Sequence, residues 1–599
     1  MTVGQLTDVT PPPGMDKRWD PYSVGAKWYD GDKIRWHNGV LEKIGGWTKL
    51  VATPLVGIAR AGHSWATLEG TATLALGTEC YLYHYAGGNV SDITPIRVSA
   101  AALPTDPFAT VSASSTITVT HNTHGAVVGD RVTYSGVTNP VNGITINSTP
   151  YTILTVADAN TYTIADTETA SSSASAGGAT VTGDYTINCG NSSSVFQYGY
   201  GVGNYGAEEY GDARTASDAL LAATIWSLDN WGEDLIAAKR AGGLYTWDTS
   251  GGVGTPATLI ANAPSEVGLM VVSGEDRHVI VFGAHDGSAY DPMLVQWCDQ
   301  EDFTTWAPSI TNTAGSVRLT HGSTIKGVTK TRGQILIWTD SDLYAMKYVG
   351  GRFVFSLEHI GAGVGSTGAK AAVSWNGVTY WMARDNFYKY DGVQSVMPNT
   401  VHEYIFEENL DGGQRDKIVA AVNKEFQEVW FFYQSKTSAN LEVDKYVKYN
   451  ILHGTWDTGS LDRTVWMTPS VFPLPIAVDS SGYIWEHEVG FNDDAAPLVA
   501  FIETGAFELP EGNDFIFIDR IIPDIKTTGG TTDLTMYVAP YPNGPEVSKG
   551  PYSLEDSVEK IDVRLRGRQF KYRIDWSELN NDAHIGKIRM RVKADGKRQ

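Results

Sequence analysis

The chain has 599 residues, 63 of them Gly, with 11% aromatic and only 19% charged residues, a balance that suits sheets joined by tight turns and disfavours helical bundles and disorder. A formal charge of -23 excludes a surface that grips nucleic acid throughout, because such surfaces concentrate Lys and Arg; it leaves room for DNA that slides past without sticking. Cys80, Cys189 and Cys298 are odd in number, far apart and outside any CxxC pair, so neither a disulfide framework nor a zinc site is expected, and reducing synthesis is the simpler inference.

Taken in order, residues 1–50 open on Pro11-Pro12-Pro13, which favours an extended arm. They continue into KWYDGDKIRWHNGVLEKIGGW, where Asp30-Gly31 and Asn38-Gly39 give the hairpin signal twice, so an arm followed by a small β-meander is expected. The start lacks a basic leader followed by an apolar run, and no segment has the ~18 apolar residues of a membrane span. A soluble chain without a standard export signal is the expectation.

TECYLYHYAGG, from Thr78, is the first run of aromatic strand into Gly. From Phe108 to Tyr185 the composition shifts to Thr, Ser, Val and Gly, with Arg131 as the one basic residue and no Trp. Alternation in TITVTH, DRVTYSGV, YTILTV and TYTIAD predicts a small β domain at 108–185, inserted into a larger one, with Ser171 to Ala179 as its flexible exit. QYGYGVGNYG, Gln197 to Gly206, reads either as a surface loop or as a poorly formed blade.

The aromatic run then recurs as LYTWD, MLVQWCD, DLYAMKY, NFYKYDG, DKYVKYN and GYIWEHE, starting at Leu244, Met293, Asp342, Asn386, Asp444 and Gly482. The starts are 49, 49, 44, 58 and 38 residues apart, and each run follows another strongly apolar or aromatic strand. That period predicts propeller blades over 51–107 plus 186–490, six or seven in number; a stack of ordinary hairpins in sandwiches is the competing arrangement. In the WNGVTYWMARDNFYKYDG hairpin, Trp375, Tyr380, Phe387 and Tyr390 are assigned to the blade core.

Beyond about residue 490 the strands lengthen, which predicts a β-sandwich-like domain over 491–599. In GKIRMRVK, Lys587, Arg589, Arg591 and Lys593 alternate with Ile588, Met590 and Val592, so the cations share one face. Three readings stay open for them: a solvated outer face, a docking surface for an acidic neighbouring subunit or adaptor, and direct phosphate contact.

Motifs for chemistry fall short. GVGSTG, Gly363 to Gly368, matches a dinucleotide loop, but a strand rather than a helix follows, so a crossing between blades is expected. The carboxylate groups Asp299, Glu301 and Asp302, and Asp229, Glu233 and Asp234, have no spacing that fixes a catalytic pair, and His121 and His124 lack a third metal ligand. No catalytic residue, cofactor or metal is assigned.

KWYDGDKIRWHNGVLEKIGGW, VQWCDQEDFTTWAP (Val295 to Pro308), HIGAGVGSTGAKAAVSWNGVTYWMARDNFYKYDG (His359 to Gly392) and the basic strand ending in KADGKRQ together resemble the nozzle proteins of short-tailed phages, also called tail tubular protein B or packaged-DNA stabilisation proteins. The inserted segment resembles a small β module of phage structural proteins. The resemblance implies a non-enzymatic propeller subunit of the virion tail, assembled in the host cytoplasm as a homo-hexameric ring at the distal tail tube. Its implied partners are an adaptor ring, fibre, spike or plug proteins, and double-stranded DNA in transient passage. Against this stands a glycan-binding or glycan-cleaving propeller for host attachment, suggested by 18 Trp, 29 Tyr and the acidic clusters.

Overall fold

The computed structural model describes residues 5–146, 149–194, 222–351, 353–508 and 514–597. The chain is all-β, with 51% of residues in strands and 3% in helices. It divides into a continuous unit, 55–320, and a discontinuous unit made of 1–54 and 321–599. Among the described residues no helix is long and apolar enough to cross a membrane. The Gln197 to Gly206 run lies outside the described residues.

The recurring aromatic run is the third strand of a four-stranded antiparallel meander. In the continuous unit it is Leu82–Ala86, Leu244–Trp247 and Tyr290–Trp297; in the discontinuous unit it is Asp342–Tyr348, Phe387–Tyr390, Lys445–Asn450 and Ile484–His487. The strands before it, such as Gln334–Thr339 and Glu428–Tyr433, are buried almost throughout. They read as unbroken apolar runs because a sheet packed on both faces has no solvent side to alternate toward.

Within each unit the first strands of successive sheets lie side by side. Trp226–Trp231 packs against Ala61–Ala66 and Val267–Val272, and Ala372–Trp375 against Ile325–Thr331 and Val419–Asn423. This is the inner-strand arrangement of propeller blades. The last sheet differs: its fourth strand, Trp47–Lys49, comes from near the start of the chain and pairs in parallel with Asn492–Asp493, so the sheet has six strands.

The Trp375 hairpin differs in one detail from the sequence reading. Trp375 ends the strand Ala372–Trp375 and does not begin the next, because Asn376 and Gly377, with φ of 51° and 82°, form a two-residue turn that pairs Trp375 with Val378. Tyr380 and Phe387 are buried in one core with Trp375 half-buried at its margin, and Tyr390 is buried in the neighbouring core with Trp338 and Trp381. Phe387 lies 4.6 Å from the Trp456 ring and 5.2 Å from Phe431.

Two antiparallel sheets form the inserted domain, Ile96–Ala102 with Thr182–Thr186, Arg131–Ser135 and Tyr151–Thr152, and a five-stranded partner centred on Thr116–Thr120 and Thr161–Ala165. Their core holds Phe108, Tyr134, Tyr162 and Tyr185, and the three tyrosine hydroxyls are linked in series at 2.7 Å to His121 Nδ1. The Ser171 to Ala179 segment is not a free exit, since Ser175–Ala176 pairs with Phe108 and Ala109.

A second correction concerns the cysteines. Cys80 and Cys189 are joined in a disulfide across 109 residues, with Cα atoms 4.1 Å apart. Their separation in sequence hid this. The inserted domain leaves and re-enters the sheet at neighbouring points, so Cys80, two residues before Leu82–Ala86, meets Cys189, three residues after Thr182–Thr186. Cys298 is free and buried.

The expected N-terminal meander has no independent existence. Ile34–His37 and Val40–Lys43 extend a sheet with Asp582–Lys597, Asp514–Gly529 and Ile561–Gly567, to which Gln5–Asp8 also pairs. Trp28–Asp32 joins the opposite sheet with Ala500–Thr504, Gln569–Trp576, Thr532–Ala539 and Val547–Leu554. The two sheets close over Trp28, Trp36, Ile518, Tyr572, Trp576 and Met590, so a sandwich is present and its strands come from both parts of the unit.

Below this sandwich sits a buried charge cluster. Arg35 donates to Glu488 at 2.5 and 2.9 Å and lies 3.5 Å from Glu428. Lys448 Nζ is 2.5 Å from Glu428 and 3.5 Å from Asp457, and neither Asp457 oxygen has a good hydrogen bond. Two cations thus face three carboxylates in a buried site, and burial pushes the Asp457 carboxyl up to about 7.

Candidate functional site

The long strand Asp582–Lys597 fixes the basic face. Ile588 and Met590 point into the sandwich at 1% and 0% exposure, so the residues between them point out. Lys587 and Arg589 are exposed, and Arg591 and Lys593 are half-buried.

Register places like charges opposite one another, Arg591 against Arg520. That juxtaposition is unfavourable on its own. A register shift between Ile518 and Arg520 relieves it: Ile518 and Ile521 are both buried, three residues apart, so Asp519 and Arg520 both turn outward. Asp519 accepts from Arg591 Nε at 2.6 Å and Nη2 at 2.9 Å, and from Lys593. The Arg591 hydrogen bonds hold the Asp519 carboxyl at about 2, well below the ordinary carboxylate range. Arg520 turns the other way, to Asp562 at 2.9 Å.

The four predicted cations therefore divide. Arg591 and Lys593 are engaged by Asp519 within the chain, while Lys587 reaches Asp8 at 3.4 Å with both partners solvated. Arg589 is exposed beside it. Sequence analysis missed Asp519, although an acidic residue inside the apolar run FIFIDRIIPDI, in a domain with so basic an end, is a usable signal.

The other motifs are absorbed by structure. Gly365 packs where a Cβ would lie 2.4 Å from the Asp340 carbonyl group, and the Val364 amide donates to Ser341, so this loop closes on a turn and is followed by the strand Ala372–Trp375. Asp299 accepts from the Gln300 and Thr313 amides, Asp229 from the Val272 amide, and Glu233 from the Leu68 amide. His124, buried, accepts from the Ala126 amide through Nδ1 and bonds the Asp158 carbonyl through Nε2.

These features define an all-β, propeller-like protein of repeated four-stranded sheets with an inserted β domain and a sandwich whose interior strand Asp582–Lys597 carries a basic outward face. No family model matches the chain, and no curated protein matches it. Among solved structures it is similar to the AfRom2 CNH domain, at 10% identity and a TM-score of 0.28, over 49% of this chain and 88% of that one. It is also similar to an exo-β-1,3-galactanase from Phanerochaete chrysosporium, at 10% identity and a TM-score of 0.21, over 61% and 95% of the two chains. A third likeness is to BBS1N in complex with ARL6DN, at 8% identity and a TM-score of 0.25, over 75% and 99%. At these TM-scores none assigns a family or an activity.

Proposed function

We propose that the chain is a structural, non-enzymatic subunit of a short-tailed phage tail, which assembles as a ring at the distal tail tube and docks on an adaptor ring and on fibre, spike or plug proteins. The observation that carries this reading is the outward basic strand on an otherwise acidic chain. Each subunit brings -23 to a ring, which repels a DNA duplex and makes a conduit without a binding site. Lys587 and Arg589 leave a localised positive face for an acidic neighbour.

The test is the double charge reversal Lys587→Glu with Arg589→Glu in the full-length protein, followed by assembly into tails and by the salt dependence of adaptor binding. Wild-type binding should weaken as salt rises toward 0.5 M, and the variant should assemble poorly at any salt. Tails of normal composition built from the variant, or the chain present in tails as isolated monomers, would overturn the reading.

A further inference from the structure

The continuous unit contains a cleft of about 440 Å³ that gathers Glu233, one of the carboxylates singled out in the sequence, with His84 and Trp247 of two aromatic runs. It lies between its first two sheets, at the hairpin-tip end. One wall is the turn that joins Ala61–Ala66 to Ala72–Gly77; the other is the turn before Asp234–Lys239 together with the short helix Thr249–Gly251. Its size is within the range of small-ligand sites, about 300–1,000 Å³.

Three observations specify the chemistry. First, the lining residues include Glu69 and Glu233 and no Lys or Arg, so the cleft repels anions. Second, five Thr and Ser side chains line it, among them Thr73, Thr249 and Ser250, while Leu68 and Val253, 88% and 58% exposed, supply apolar strips at its edge. Third, His84 lines the cleft at 3% exposure, its ring 4.5 Å from the Trp247 ring, and its Nε2 has no hydrogen-bond partner in the protein. Burial lowers its pKa, so the ring is a neutral imidazole. An imidazole in that state is free to donate to or accept from a hydroxyl, and buried polar atoms rarely go unpaired without a role.

The geometry points to a binding site for a short, non-anionic saccharide, a neutral or amino-sugar oligomer, at the cleft lined by Glu69, His84, Glu233 and Trp247. Carboxylates accept from vicinal sugar hydroxyls and from an ammonium group, the Thr and Ser hydroxyls complete the polar set, and Leu68 and Val253 cover sugar C–H faces. Glu233 is oriented at the cleft by the Leu68 amide, which donates to it at 3.2 Å. The assignment rests on the cleft alone and stands or falls independently of the tail reading.

The experiment is a binding screen of the full-length protein against a glycan panel that contains neutral, amino-sugar and uronic or sulfated oligomers, with titration of the hits by calorimetry. Saturable binding of neutral or amino sugars is expected, at least tenfold tighter than any anionic glycan of the same length. Glu233→Gln and His84→Phe, the latter keeping a ring against Trp247, should each weaken it at least tenfold with unchanged circular dichroism. If His84→Phe fails to fold, Glu69→Gln serves as the second variant with the same expectation. No saturable binding across the panel, a preference for anionic glycans, or binding unaffected by the variants would overturn the assignment.

Discussion

Replacing Asp457 by Asn tests the charge arithmetic of the buried cluster. Arg35 and Lys448 balance Glu428 and Glu488, which leaves Asp457 as the uncompensated acid. Holding its carboxyl at about 7 in place of the ordinary 3.8 means that ionised Asp457 costs the fold about 4 kcal/mol. Relaxation of Lys448 toward it reduces the expectation to about 2–4 kcal/mol.

The sign follows from which state holds the proton. Between pH 3.8 and about 7 the native chain keeps a proton that the unfolded chain has lost. The associated stability is full below that window and is lost as pH rises through it. An Asn mimics the protonated acid, so Asp457→Asn should match wild type near pH 4 and exceed it by about 2–4 kcal/mol at pH 8. Urea midpoints followed by Trp fluorescence at pH 4, 5, 6, 7 and 8 for both proteins would show a gap that opens with pH. A gap that does not change with pH, or a variant less stable than wild type at pH 8, would refute the reasoning.

Other substitutions probe separate links. Phe387→Ala, at a fully buried ring between Trp456 and Phe431, should cost about 3–5 kcal/mol and lower the thermal midpoint. Gly365→Ala forces a Cβ to within 2.4 Å of the Asp340 carbonyl carbon and should cost about 1–3 kcal/mol, measured by the same denaturation. Cys189→Ser opens a loop of 109 residues and should cost about 2–5 kcal/mol, read as faster proteolytic release of the inserted domain.

The sheets were legible because each one repeats a local signal, an apolar second strand and an aromatic third strand that ends in a turn. GYIWEHE and TECYLYHYAGG identified their sheets as surely as NFYKYDG did. What escaped was set by pairing at a distance. Nothing near Trp28 or Leu41 announces a partner more than 450 residues away, and local hairpin signals there, correct for Ile34–His37 with Val40–Lys43, suggested a self-contained meander. The Cys80–Cys189 bond was hidden for the same reason. The basic face was legible from alternation, yet the outward turn of Asp519 depends on a bulge that the alternation of its own strand does not encode. The cleft proposed for a saccharide was not legible as a unit: Glu233, His84 and Trp247 each stood in a run already noted, but the elements that bring them together are distant in the chain.

The pairing of Gln5 with Val592 also sets a timetable for synthesis. At about 5–20 residues per second a ribosome takes roughly half a minute to two minutes to travel between them. Residues 55–320 are consecutive and emerge complete midway through that interval, while Trp28–Asp32 and Val40–Lys43 wait for partners in the last hundred residues. A nascent or truncated chain therefore displays an unfinished sandwich. A ring built on the basic strand of that sandwich, as proposed, would recruit only subunits whose synthesis has passed that strand.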